Sequence, residues 1–133
     1  TKVMVGLGMS AIGDTWYSFS QNIKDVEAYS AKVHAGEFPV FRGHILNRED
    51  LLIRRHILNL ICHFETYWEG ENERLTSCLE RLVEMEKDGL VEIDSSSVRI
   101  PEAGRPFIRN ICMAFDMHLF RNKPSTQTFS MTV

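Results

Sequence analysis

Apolar residues recur with helical spacing along most of this chain and alternate only in short stretches. The clearest stripe lies near the end. Ile108, Ile111, Cys112, Phe115 and Leu119 fall at i, i+3, i+4, i+7 and i+11, one face of a helix predicted from Glu102 or Pro106 to about Phe120. Arg105, Arg109 and Asp116 fall off that stripe. Three further helices are predicted. In residues 25–35, Val26, Tyr29 and Val33 face inward, and Gly36 provides the C-terminal cap. Asn47 caps the next helix, where Glu49 and Asp50 suit the positive end of the dipole; Ile53, Ile57, Leu60, Ile61, Phe64 and Trp68 form its buried stripe. Gly70 and Asn72 break the chain. Asn72 or Thr76 opens a helix with Leu75, Leu79, Leu82 and Val83 inward, and Gly89 closes it.

Strand-like patterns are few. Residues 90–94 and 98–100 alternate around Ser95, Ser96 and Ser97 and predict a hairpin that Pro101 stops. Residues 2–8 (KVMVGLG) form a short apolar run closed by glycines, the pattern of a buried parallel strand. Residues 14–21 (DTWYSFSQ) combine aromatics with polar residues. They read as a loop whose aromatics plug a core, or as a lining for a large planar ligand. Residues 39–43 read as an extended connector, and residues 121–133 as a polar tail. The fold class predicted is mainly α with a small β hairpin. The order helix, helix, hairpin, helix after residue 46 is winged-helix-like.

Composition narrows the class. A chain of 133 residues with 44% hydrophobic and 25% charged residues is long enough for one domain with a real core. A net charge of -3 gives no general attraction to nucleic acid or anionic membrane, and no apolar run has the length of a membrane span. Three cysteines at wide spacing, Cys62, Cys78 and Cys112, argue against a disulfide framework and fit a reducing, cytoplasmic setting. No zinc-finger spacing is present. The chain begins at Thr1 and runs straight into an apolar stretch, which reads as a fragment of a longer protein.

Candidate chemistry is sparse. A winged-helix reader of DNA would place the helix of residues 72–88 in the major groove. That helix carries five acids (Glu73, Glu80, Glu84, Glu86, Asp88) against three bases (Arg74, Arg81, Lys87), a poor match for phosphate. Gly6, Gly8 and Gly13 have spacing G-x-G-x4-G, which departs from the dinucleotide fingerprint; close backbone approach at a strand end explains them better. His56 and His63 share a helical face without metal-ligand spacing, and structural histidines are the default. Arg42, Arg54, Arg55, Arg105 and Arg109 stand out. They pair with Glu65, Glu102 or Asp116, or they recognise a ligand bearing carboxylates through bidentate guanidinium contacts. No nucleophile–base set is readable, so no catalytic residue is assigned.

Five blocks then carry a resemblance: GLGMSAIGDTWYSFSQN (residues 6–22), FPVFRGHIL (38–46), DLLIRRHILNLICHFE (50–65), EMEKDGLVEI (84–93) and GRPFIRNICMAFD (104–116). In this order they resemble the C-terminal part of the oxygen-independent coproporphyrinogen III oxidases, radical S-adenosylmethionine enzymes of haem biosynthesis. The resemblance implies oxidative decarboxylation of two propionates of coproporphyrinogen III to vinyl groups, giving protoporphyrinogen IX. It implies a [4Fe-4S] cluster on a C-x3-C-x2-C motif and S-adenosylmethionine, both in the whole enzyme, on a partial α/β barrel covered by a helical C-terminal domain. This chain lacks that motif, so it is expected to be inactive alone, to hold neither cofactor, and to need the missing barrel as partner. Residues 1–20 would then be the end of the barrel, with its last strand, and residues 21–133 the helical domain. Ile12, in the G-x-G-x-S-x-I segment, takes the cofactor-bordering role by resemblance, with Gly8 and Ser10 beside it. Arg42, Arg54 and Arg109 suit a substrate with four carboxylates on chemical grounds. Without the barrel, the apolar strand can pair with a second copy. The competing reading is a stand-alone winged-helix interaction or regulatory module.

Overall fold

The computed structural model describes residues 3–70 and 73–117, with the backbone only at Glu73 and Arg74. The chain divides into two compact units, residues 1–51 and 52–133.

The first unit is built on a three-stranded antiparallel sheet. Strand β1 (Ile12–Asp14) pairs with β2 (Ser18–Asn22), which pairs on its other edge with β3 (Val40–Ile45). Thr15 closes the β1–β2 turn: its N–H donates to the Ser18 carbonyl, and its Oγ1 accepts from the Ser18 N–H at 3.1 Å. Helix α1 (Val26–His34) joins β2 to β3. Asp25 caps it by accepting from the Ala28 N–H at 2.8 Å, and Gly36 leaves it at φ 72°. Asn47 and Asp50 exchange backbone-to-side-chain hydrogen bonds at 2.9 and 3.0 Å, a reciprocal capping box that starts α2 (Arg48–His63).

This unit has almost no interior. Among its described residues only Gly13 and Asn22 are buried. The expectation of inward Val26, Tyr29 and Val33 is corrected in part: Val26 and Val33 are exposed, α1 fully buries no residue, and only Tyr29 is half-buried, turned toward Gly8. The run of residues 2–8 is corrected as well. Among its described residues only Met4 pairs, in a single antiparallel bridge with Asp14, while Val5 and Leu7 are 73% and 88% exposed. Residues 14–21 are strand and turn, and the expected connector is β3. The boundary expected after residue 20 falls inside β2, which β3 keeps in one sheet with residues 40–45.

The second unit holds the core. Leu60 on α2, Leu75, Cys78 and Leu82 on α3 (Glu73–Lys87), Val91, Val98, Ile100, Ile111 and Phe115 are almost wholly buried. Strands β5 (Glu92–Ile93) and β6 (Ser97–Arg99) form the expected hairpin. A further strand, β4 (Glu65–Tyr67), adds to it in the order β4–β6–β5. Of the expected α2 stripe, Ile53 and Leu60 are buried with Ile57 packed against them, Ile61 is half exposed, and Phe64 and Trp68 join the core from beyond the end of α2; Val83 on α3 is exposed while Cys78 takes the inward place. A 3-10 helix (Glu102–Phe107) with Pro106 inside it precedes α4 (Ile108–Met113). Ile111, Cys112 and Phe115 are buried and Ile108 is packed against them, as the stripe predicts. Leu119, Phe120, the Asn72 cap and the tail of residues 121–133 lie outside the described residues.

Candidate functional site

Two of the four site residues expected from sequence meet on one face of the first sheet. Register places Ile12, Gln21 and Arg42 in one row across β1, β2 and β3, and Asp14, Phe19 and His44 in the row two residues along, on the same face. Ile12, Phe19, Gln21, Arg42 and His44 line a concave surface of about 510 Å³. The Arg42 Nε–H donates to Gln21 Oε1 at 2.9 Å, and Gln21 Nε2 donates to the Ser10 carbonyl at 3.4 Å. His44 Nε2 lies 2.9 Å from Asp50 Oδ2. The face therefore combines exposed apolar surface from Ile12 and Phe19 with an anchored guanidinium.

The glycine-rich loop before β1 is held from behind. The buried Asn22 side chain donates through Nδ2 to the carbonyls of Gly6 and Gly8, at 3.2 and 2.9 Å. The Gly8 N–H donates to Tyr29 Oη at 3.1 Å. Gly8 sits at φ 98° and Ser10 at φ 60°. A Cβ on Gly6 would lie 2.6 Å from the Ile12 carbonyl oxygen, so the expected close backbone approach is real at Gly6; at Gly8 a Cβ would meet nothing within 4 Å, and the positive φ is what suits glycine there. The loop and Asn22 together fix where Ile12 enters β1.

The other two expected residues lie in the second unit. Arg109 is exposed and lines an apolar groove with Ile57, Ile108, Cys112 and Met113. Arg54 is half-buried on α2. Arg105 lies over the Phe64 ring, 4.4 Å from its centroid. His56 is fully buried: Nδ1 is 2.7 Å from Thr66 Oγ1, and that hydroxyl accepts from Asn59 Nδ2 at 3.3 Å. Its Nε2 has no hydrogen-bond partner among the described residues. Burial, and then the charge of Arg55, lower its pKa from 6.5 to about 4, which suits a neutral structural imidazole. Burial pushes the Cys112 thiol up to about 11, the behaviour of a packing residue.

Sequence reasoning missed Gln21 and His44. The signal was present in VFRGHI: Arg42 and His44 at i and i+2 share one strand face once residues 40–45 are read as a strand.

No family model matches the chain. It is 34% identical over 138 aligned positions to the oxygen-independent coproporphyrinogen III oxidase of Escherichia coli (strain K12), covering 98% of this chain and 30% of that protein. The enzyme of the same name from Pseudomonas aeruginosa is 36% identical over 127 positions, covering 87% and 27%.

This chain is related to the oxygen-independent coproporphyrinogen III oxidases.

The solved structure of coproporphyrinogen III oxidase (HemN) from Escherichia coli, described as a radical SAM enzyme, matches with a TM-score of 0.79 at 32% identity, over 88% of this chain and 29% of that one. The chain thus spans under a third of the length of the oxidases it matches. Its own cysteines do not fit an iron–sulfur cluster. Cys62 is exposed on α2, Cys78 and Cys112 are buried, and among the described residues no three His, Cys, Asp or Glu side chains gather to hold a metal ion. Among those residues no helix is long and apolar enough to cross a membrane.

Proposed function

We propose that this chain is an accessory part of an oxygen-independent coproporphyrinogen III oxidase, the radical S-adenosylmethionine enzyme that converts two propionates of coproporphyrinogen III to vinyl groups. The observation that carries this reading is the agreement of sequence and fold over nearly the whole chain with under a third of those enzymes. On this reading the first unit belongs with the catalytic barrel and the second is the helical accessory domain. The second unit, with helices packed on a three-stranded sheet, is the winged-helix-like scaffold. The cluster and the radical chemistry belong to cytoplasmic barrel sequence outside this chain, and no catalytic step is assigned to its residues. Ile12 borders S-adenosylmethionine or substrate. Arg42, Arg54 and Arg109 are candidates for pairing with substrate carboxylates.

The test uses two components, the 133-residue chain and the cysteine-bearing remainder of the enzyme. The chain alone, after reconstitution with iron and sulfide, is expected to show no cluster absorbance and no cleavage of S-adenosylmethionine. Joined to the remainder it is expected to support decarboxylation, followed as protoporphyrinogen formed. A stable cluster on the chain alone, or a remainder that works at full rate without it, overturns the proposal.

A further inference from the structure

We infer that the concave face of the first sheet is a carboxylate site in which Gln21 presets Arg42. The inference rests on the function proposed above and names the ligand chemistry of that face. Gln21 is oriented at both ends: its amide nitrogen points to the Ser10 carbonyl, and its amide oxygen accepts from Arg42 Nε. Anchoring a guanidinium through Nε fixes its plane and leaves the Nη1 and Nη2 groups for a second partner. Among the described residues Arg42 makes no other hydrogen bond, so both terminal nitrogens are available. Two parallel N–H groups held in one plane match the two oxygens of a carboxylate, and prior ordering removes part of the entropy cost of binding.

The surroundings select what carries the carboxylate. Ile12 stands in the same row as Arg42, and Phe19 stands in the next row; they are 53% and 37% exposed. They offer an apolar edge and an aromatic ring to a hydrophobic or planar body. The ligand class is therefore a carboxylate on a short arm attached to such a body. Two sources fit the proposed enzyme: a propionate arm of a tetrapyrrole, and the amino-acid carboxylate of S-adenosylmethionine.

Amide-resolved NMR of the 133-residue chain tests this. The probes are 3-phenylpropionate, its neutral amide, inorganic phosphate, coproporphyrin III and S-adenosylmethionine. Phenylpropionate is expected to shift Ile12, Phe19, Gln21 and Arg42, and the neutral amide and phosphate are not. Arg42→Gln should weaken binding about 10- to 100-fold, the worth of a charge-assisted pair, and Gln21→Leu about 3- to 10-fold. Gln21→Glu keeps the shape but occupies Arg42 with its own carboxylate, and should abolish binding. Unperturbed positions in each variant's spectrum report that the sheet is intact. Equal shifts from the neutral amide or from phosphate, or unchanged affinity in Arg42→Gln, overturn the site. Wild-type affinity in Gln21→Leu overturns the presetting by Gln21. Tighter binding of coproporphyrin III assigns the site to the tetrapyrrole, and tighter binding of S-adenosylmethionine assigns it to the cofactor. If neither exceeds phenylpropionate while Arg42 dependence holds, the carboxylate site stands and its assignment to tetrapyrrole or cofactor fails.

Discussion

Gly104→Ala should be among the most damaging single-methyl changes in this chain. Gly104 is buried in the 3-10 helix before α4, and its N–H donates to the Pro101 carbonyl at 2.9 Å. A Cβ there would lie 1.8 Å from the Leu90 carbonyl oxygen, 2.8 Å from the Leu90 carbonyl carbon and 3.0 Å from Ile100 Cγ2. Restoring the 3.4 Å of ordinary contact from 1.8 Å needs a displacement of about 1.6 Å. No flexible side chain can absorb it, because the obstacle is backbone. Leu90 is tied by its N–H to the Met85 carbonyl and precedes Val91, which is 1% exposed; Ile100 is 2% exposed. Overpacking a close-packed interior costs typically ~1–3 kcal/mol, and a backbone-to-methyl collision belongs at or above the top of that range. A loss of about 3 kcal/mol is a large part of the stability of a domain this size. With a urea m-value of about 1–3 kcal/mol per molar, the midpoint should fall by roughly 1–3 M.

The control is Gly89→Ala, just after α3. Gly89 sits at φ 72° with open space where a Cβ would go. Its cost comes only from left-handed backbone, about 1–2 kcal/mol. Urea unfolding followed by far-UV circular dichroism compares the two. If Gly104→Ala is no worse than Gly89→Ala, the close approach of the 3-10 helix to Leu90 is not what holds that glycine in place.

Two further outcomes are expected. Because the His56 pKa is lowered from 6.5 to about 4, the unfolded chain takes up a proton on falling below pH 6.5 while the folded chain does not. Stability should be level in this respect above pH 6.5 and drop by roughly 3 kcal/mol down to about pH 4. His56→Gln should remove the slope between pH 6.5 and 5 in denaturant titrations, and an unaltered slope would discard the assignment to His56. In thiol titration with an aromatic disulfide at pH 8, exposed Cys62 should react at once, and buried Cys78 and Cys112 only after denaturant is added. With its pKa near 11, Cys112 is about one part in a thousand thiolate at that pH, so a second fast thiol in the native chain would contradict the packing of α3 or α4.

The second unit was legible wherever local chemistry and burial agreed. The α2 start was readable because Asn47 and Asp50 carry the capping signal themselves, and the α4 stripe because Ile111, Cys112 and Phe115 face a real core. Strand β4 was hidden. Phe64 and Trp68 keep helical spacing, yet Phe64 turns to φ 62° without a glycine to announce it, and the chain leaves α2 for the sheet. The first sheet was hidden for a different reason. Alternation marks a strand only when one face is buried, and β3 is exposed along its whole length. Of the candidate site, Ile12 came from the resemblance and Arg42 from its charge. Gln21 was unreadable, because its role arises from cross-strand register.

That same exposure bears on function. Val5, Leu7, Phe38 and Ile45 are 73%, 88%, 90% and 81% exposed, and α1 buries nothing. Scattered apolar residues are ordinary on a protein surface. Here they are concentrated in a unit whose described residues bury only Gly13 and Asn22. Three strands normally need an apolar face or a packed helix to be stable. On the proposed reading that cover is the barrel, and a common origin follows for two facts: Val26 and Val33 of the α1 stripe are left exposed, and the Arg42 face stands open. On that reading both surfaces face the larger part of the enzyme, and the sequence pattern predicts burial that the chain by itself does not provide.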